Sequence, residues 1–438
     1  MALEQRQQRV VVIGGGMAGA RLAQQLDAAD VDLTVVGEEP HAPYNRVLLA
    51  EVLAGQYAPE VIALPASPAR WMRGVRAVRL DRAERRVICD DGSVLPYDAL
   101  VLATGANPVL PPLRGLFDHD GGELPDGVRA FRTMDDCLAL RDDVKPGTRA
   151  VVVGGGLLGV SAARALARRG AQVVLAHQGE RLMERQLDTG AAAVLRRHLE
   201  ELDVEVHTEC RARGLRTPPG SHASSRVLAP APRTVSAVEL ADGYSLDADL
   251  VVLACGVRPR VGLAQAAGLE VAQGVVVDDQ LRTNDPHVHA IGDCAEHAGI
   301  LYGLAGPAQD QADALSRVLT DTAPTPAAAR AAGSGTGIAP RYPGTRALTR
   351  LSLTRNRQLP LDLAAFGEPT PREDDDVVHL TDATRGTYRK VVVRGDRLVG
   401  GILLGDLASV GTLARTWEGD EPLPSEPLLH LLTHDGGR

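Results

Sequence analysis

Glycine acts in binding chemistry mainly by keeping a side chain out of the way, and this sequence places two matched sets at the same internal spacing. They are Gly14, Gly16 and Gly19, and, 140 residues further on, Gly154, Gly156 and Gly159. In G-x-G-x-x-G the first Gly permits a sharp turn, the second lets backbone approach a pyrophosphate, and the third lets a helix pack closely on a strand. Met17, Ala18, Leu157 and Leu158 then sit where backbone N–H groups of a first helical turn face the anion. An acidic residue about 20 positions beyond the first Gly accepts hydrogen bonds from adenosine ribose hydroxyls. Glu38 lies 24 positions beyond Gly14, with Glu39 as the neighbouring choice. In the second set the matching position falls in Ala176-His177-Gln178, which has no carboxylate. His177, near Arg181, is compatible with a 2′-phosphate, so the choice between NADH and NADPH stays open.

Each set needs a strand before it and a helix after it. Val10-Val-Val-Ile13 is a β-branched run suited to a buried parallel strand, followed by a helical stretch through Ala29 and a second strand at Val31–Val36. Ala150–Val153, a helix through Arg169 and the strand Gln172–Ala176 repeat the pattern. Asp98–Gly105 and Asp249–Gly256 read as a closing strand for each unit. Two occurrences in full strand–turn–helix context predict two dinucleotide folds in series. Pro111–Gly127, Gly214–Ser236 and Thr322–Pro340 read as loops or linkers because Pro, Gly, Ser and Ala cluster there without periodicity. Beyond them, Tyr388–Arg394, a Gly395-Asp396 turn and Leu398–Leu404 predict a β-hairpin in a small α+β domain.

The 438 residues exceed one domain by the prior of roughly 150 residues each, and 44% hydrophobic with 24% charged residues is an ordinary globular composition. A net charge of −9 and 3% aromatics argue against nucleic-acid binding. No apolar run approaches the roughly 18 residues needed to cross a bilayer, and Met1–Arg9 lacks an apolar signal core. The expectation is therefore a cytoplasmic protein with no membrane contact. Cys89, Cys137, Cys210, Cys255 and Cys294 have no metal-type spacing and read as reduced core or loop thiols, so no metal site is expected.

Together the two Gly turns, Ala103-Thr104-Gly105, Cys255-Gly256-Val-Arg-Pro259 and Thr283-Asn-Asp-Pro286 leading to Ala290-Ile-Gly292-Asp293 resemble the FAD-dependent pyridine nucleotide-disulfide oxidoreductase superfamily, in its NAD(P)H:acceptor reductase branch. Glu38–Gly55, with Tyr44-Asn45-Arg46, and Leu182–Asp188 look like the N-terminal FAD/NAD(P) part of the assimilatory nitrite reductase large subunit. The resemblance implies an FAD domain split by an inserted NAD(P) domain. Its segments are 1–125 and 256–320 for FAD, 126–255 for NAD(P), 321–340 as linker and 341–438 as a C-terminal α+β domain. It also implies that Asp293 accepts from the flavin ribityl chain, that Arg46 lies along the FAD diphosphate, and that the helix bearing Ala308 and Gln311 passes the isoalloxazine edge.

The departures are informative. Tyr44–Gly55 holds no cysteine, so thiol–disulfide exchange is not expected. No cysteine follows Cys294, so the iron–sulfur and sirohaem modules of nitrite reductases have no counterpart in these residues. Ser161 stands where many relatives carry Glu near the nicotinamide. The implied activity is electron transfer from NADH or NADPH through FAD to a separate acceptor, an iron–sulfur protein or a nitrate or nitrite reductase subunit. No side chain need act as acid or base. Ferredoxin or rubredoxin reduction, NADH oxidation and a flavin-bearing regulatory role are the alternatives.

Overall fold

Val10, Val12, Leu100 and Val101 are fully buried, as the β-branched and aliphatic runs require of strands covered on both faces. A computed structural model describes residues 7–117, 123–217, 233–321, 340–352, 361–405, 407, 409–424 and 427–432. The chain divides into two units: Met1–Leu48, Pro59–Asn107 and Val257–Ala347 form the first, and Leu49–Ala58, Pro108–Gly256 and Leu348–Arg438 the second.

In the first unit five parallel strands run in the order Val288–Ala290, Ala99–Leu102, Gln8–Ile13, Val31–Gly37, Arg70–Arg73. The helix Met17–Gln25 follows the central strand directly and buries Leu22 and Ala23. The helix Ala305–Asp321 is tied to it by a bidentate pair in which Arg21 donates to both Asp313 oxygens at 2.6 and 2.8 Å.

The second unit repeats the plan with strands ordered Val204–His207, Gln172–Ala176, Arg149–Val153, Leu250–Leu253, Val128–Ala130. The helix Leu157–Arg168 follows its central strand. A separate antiparallel sheet contains the expected hairpin, with Thr387–Arg394 paired to Arg397–Gly405, and carries the helix Val410–Gly419 on one face through Trp417 and Phe366. This sheet meets the helix Thr189–Glu200 at its N-cap. Asp188 accepts from Ala191 N at 3.0 Å, from Tyr388 Oη at 2.7 Å and from Lys390 Nζ at 2.8 Å.

Burial opposes ionisation of Asp188, yet Lys390, the helix N–H and Tyr388 outweigh it and hold the carboxyl below its ordinary value. A depressed carboxylate contributes stability that is complete above the ordinary Asp range and is lost as pH falls through the folded-state value. Asp188→Asn should therefore cost about 1–2 kcal/mol near neutrality. In urea melts at stepped pH, its gap from the parent should close on the acid side; a gap independent of pH would refute the ion pair's role.

The segment boundaries differ from expectation in three places. Residues 108–117 and 123–125 do not extend the first unit, because Leu113 and Leu116 pack with Val128, Val151 and Leu215 in the second core. Leu49–Ala58 leaves the first unit as well: Cys137 Sγ donates to Leu49 O at 3.4 Å, and Glu51 pairs with Arg164. Arg341–Ala347 belongs with the first unit, where Tyr342 packs edge-on against His297 at 4.9 Å. Gly214–Arg216 is strand rather than loop, since Leu215 is buried opposite Val238. The remainder of that expected loop up to residue 232, and the expected linker up to residue 339, lie outside the described residues.

Candidate nucleotide cradles

The first cradle is built at the end of Gln8–Ile13. Gly14 has φ +121°, and a Cβ there would overlap the Ala103 carbonyl; a Cβ on Gly19 would overlap the Gly14 carbonyl. These two glycines make the turn and the close packing possible. Gly16 differs: a Cβ on it would meet nothing within 4 Å. It is the N-cap of Met17–Gln25 and supplies no side-chain cap. The first-turn N–H groups at Met17 and Ala18 thus border open space at the positive end of a helix, where an anion is stabilised.

Around this turn the structure gathers the other expected residues of the first unit. Glu38, just past Val31–Gly37, accepts a short hydrogen bond from Arg260, whose carbonyl accepts from Thr104 Oγ1 at 2.8 Å. Glu39 accepts from Tyr44 Oη at 2.6 Å and Arg46 Nη2 at 2.7 Å. The Arg46 guanidinium also lies 5.3 Å from the Tyr44 ring centroid. Burial works against its charge, but Tyr44, Glu39 and Asp293 together raise its pKa. The charge of Asp293 thus reaches Arg46 although the two are remote in sequence. Gly105 turns at φ +72° and Gly292 at φ +76°. A Cβ on Gly292 would lie 3.1 Å from Ala18 Cβ and 3.9 Å from Ala308 Cβ, which sets the Gly292-Asp293 turn beside both helix starts. Gly292 N donates to Gln311 Oε1 at 2.7 Å, and Gln311 is 1% exposed.

The second cradle copies this construction. Gly154 has φ +113° and abuts the Ala254 carbonyl, Gly159 abuts Gly154, and Gly156 faces open space as the N-cap of Leu157–Arg168, with no side-chain cap. Leu157 and Leu158 open that helix. Gly256, at φ +97°, also has no neighbour within 4 Å of a Cβ. His177 folds back onto the turn, where its Nδ1 accepts from Gly155 N at 3.1 Å and its Nε2 is buried without a hydrogen-bond partner. Burial lowers its pKa against the opposing charge of Glu184 and a backbone hydrogen bond at Arg181. The neutral ring with its proton on Nε2 is the form that fits, so His177 brings no cation to the turn. Ser161 Oγ donates to Leu157 O at 2.7 Å and is 7% exposed, so its hydroxyl is spent on its own helix.

Arg260, Gln311 and Tyr44 are site residues that spacing alone did not single out. Tyr44 and Gln311 stood inside quoted motifs, but Arg260 reaches Glu38 across 222 residues, and no local signal marks it.

Two parallel sheets, each ending in a glycine turn beneath an uncapped helix, define a pair of dinucleotide-binding folds. Residues 8–316 match the family model described as pyridine nucleotide-disulphide oxidoreductase, and the chain belongs to that family. Residues 358–418 match a rubredoxin NAD+ reductase C-terminal domain. The chain is 32% identical over 416 residues to nitrite reductase [NAD(P)H] of Bacillus subtilis (strain 168), covering 91% of this chain and 46% of that protein. It is 30% identical over 410 residues to the assimilatory nitrate reductase electron transfer subunit of the same organism, covering 92% and 48%. The chain thus spans about half the length of these curated relatives. Among solved structures, the covalent putidaredoxin reductase–putidaredoxin complex shares the fold at TM-score 0.79 and 24% identity, covering 97% of this chain and 98% of that one. No helix among the described residues is long and apolar enough to cross a membrane.

Proposed function

We propose that the chain is an FAD-dependent NAD(P)H:acceptor oxidoreductase, with FAD in the first cradle and the pyridine nucleotide in the second. The observation that carries this reading is the duplication itself: two glycine turns, each opening on an uncapped helix N-terminus, with the Gly292-Asp293 turn beside the first. Both cradles fit a pyrophosphate, since Gly16 and Gly156 leave the approach clear. Arg46 adds charge and a planar donor fork on the FAD side. The Asp293 carboxylate would accept from a sugar-chain hydroxyl of FAD, and Glu38 or Glu39 from its ribose. FAD supplies the chemistry that joins a two-electron hydride donor to one-electron acceptors.

Thiol exchange does not carry the electrons onward. Burial pushes the thiols of Cys137 and Cys255 up to about 11, where a reactive thiolate is scarce. The acceptor is a separate redox protein, an iron–sulfur protein or a nitrate or nitrite reductase component; the names of the Bacillus subtilis relatives support the latter. Anaerobic addition of NADH or NADPH to the FAD-reconstituted chain should bleach the visible flavin band within one turnover, and a candidate acceptor should restore it. A chain that takes up FAD yet stays yellow with both nucleotides would sink the reductase reading.

A further inference from the structure

The second cradle lacks an acid at its strand end, but the fold returns one to that place. Ile13 pairs with Val36 in the first unit and Val153 with Ala176 in the second. Counting from these equivalent registers matches Gly37 to His177, Glu38 to Gln178 and Glu39 to Gly179. The turn that follows folds back on the glycines. Met183 N donates to Gly155 O at 2.9 Å, Met183 itself takes φ +51°, and Leu182 packs where a Gly155 Cβ would stand. Glu184 is thereby laid over Gly179, so closely that a Cβ on Gly179 would overlap its carboxylate, 2.6 Å from Cδ. Its charge also reaches His177. The carboxylate of Glu184 stands where a side chain at position 179, the counterpart of Glu39, would project. Nearby Arg181 is engaged elsewhere, with Nε donating to Leu187 O at 3.3 Å and Nη1 3.8 Å from Glu180.

We propose that Glu184, delivered from the turn rather than from the strand end, accepts from the adenosine ribose 2′-hydroxyl in the second cradle and repels a 2′-phosphate, which makes the site selective for NADH. This rests on reading the second cradle as the pyridine-nucleotide site. Gly179 is part of the device, because only a residue without Cβ leaves room for the Glu184 carboxylate.

The test is calorimetric binding of ADP-ribose and 2′-phospho-ADP-ribose to the full-length, FAD-reconstituted protein. The parent should prefer ADP-ribose by about tenfold or more, the scale of one charge-assisted hydrogen bond. Glu184→Gln, which removes the charge, and Gly179→Ala, which displaces a flexible side chain without touching its charge, should both bring the ratio to within about threefold. A parent that prefers the phosphorylated ligand, or variants that keep the parental ratio, would overturn the role of Glu184 and leave the nucleotide site standing. A parent that binds neither ligand would overturn the nucleotide reading, and this proposal with it.

Discussion

Gly16→Ala should give a chain that melts like the parent but emerges from purification without bound flavin. A Cβ at Gly16 would touch nothing within 4 Å and its φ of −77° suits any L residue, so the fold has no reason to object. The added methyl instead fills the space through which the pyrophosphate must approach the Met17 and Ala18 N–H groups. FAD affinity should fall by at least about a hundredfold, the equivalent of losing close to 3 kcal/mol of contacts. Gly14→Ala should behave differently, because φ +121° and the Ala103 carbonyl both exclude a Cβ. That variant should accumulate as insoluble protein. Titration of apoprotein with FAD alongside thermal melts separates the cases: a Gly16→Ala protein that retains full FAD affinity would show that the flavin's pyrophosphate does not sit in the first cradle.

Glu51→Leu should be among the most damaging single changes to stability. Arg164 is 1% exposed in the helix Leu157–Arg168, and its ion pair with Glu51 satisfies a guanidinium whose Nε already has no acceptor. With its amide nitrogen turned toward Glu51, Gln56 donates to that carboxylate at 2.8 Å and its oxygen accepts from Arg168. Removing the acid strands a buried cation, which costs about 3–5 kcal/mol, whereas replacing both partners by apolar residues of similar volume is often neutral. The double variant Glu51→Leu/Arg164→Met should therefore recover most of the loss in urea midpoint. Equal midpoints for the single and double variants would show that the pair does not act as one.

The central architecture was legible because it depends on local sterics. Val10–Ile13 and Ala150–Val153 announce buried strands, and the glycine spacings admit few alternatives once a strand precedes and a helix follows. The hairpin at Thr387–Gly405 was readable for the same reason. What stayed hidden depends on partners remote in sequence. Arg164 and Glu51 are 113 residues apart, and Arg82 and Asp285, joined at 2.7 Å, are 203 apart. A charged residue inside a helical pattern reads as a solvated face until its partner is known. The Leu113 and Leu116 stretch looked like linker because its Pro and Gly content conceals two side chains committed to a core. At the second cradle the strand end holds no acid, and the placement of Glu184 depends on a left-handed Met183, which no residue-type rule anticipates.

The route of the backbone also dictates an order of assembly. The polypeptide leaves the first unit after Leu48, returns after Ala58, departs again after Asn107, comes back after Gly256 and crosses a last time after Ala347. During synthesis the sheet holding Gln8–Ile13 must wait for Val288–Ala290 to emerge before its edge beside Ala99–Leu102 is covered. The sheet of Val128–Ala130 through Leu250–Leu253 is complete earlier, from one uninterrupted stretch. Although the amino terminus belongs to the first unit, the sheet able to form first on the ribosome is therefore the one ending at Leu250–Leu253, and the sheet holding Gln8–Ile13 closes only after it.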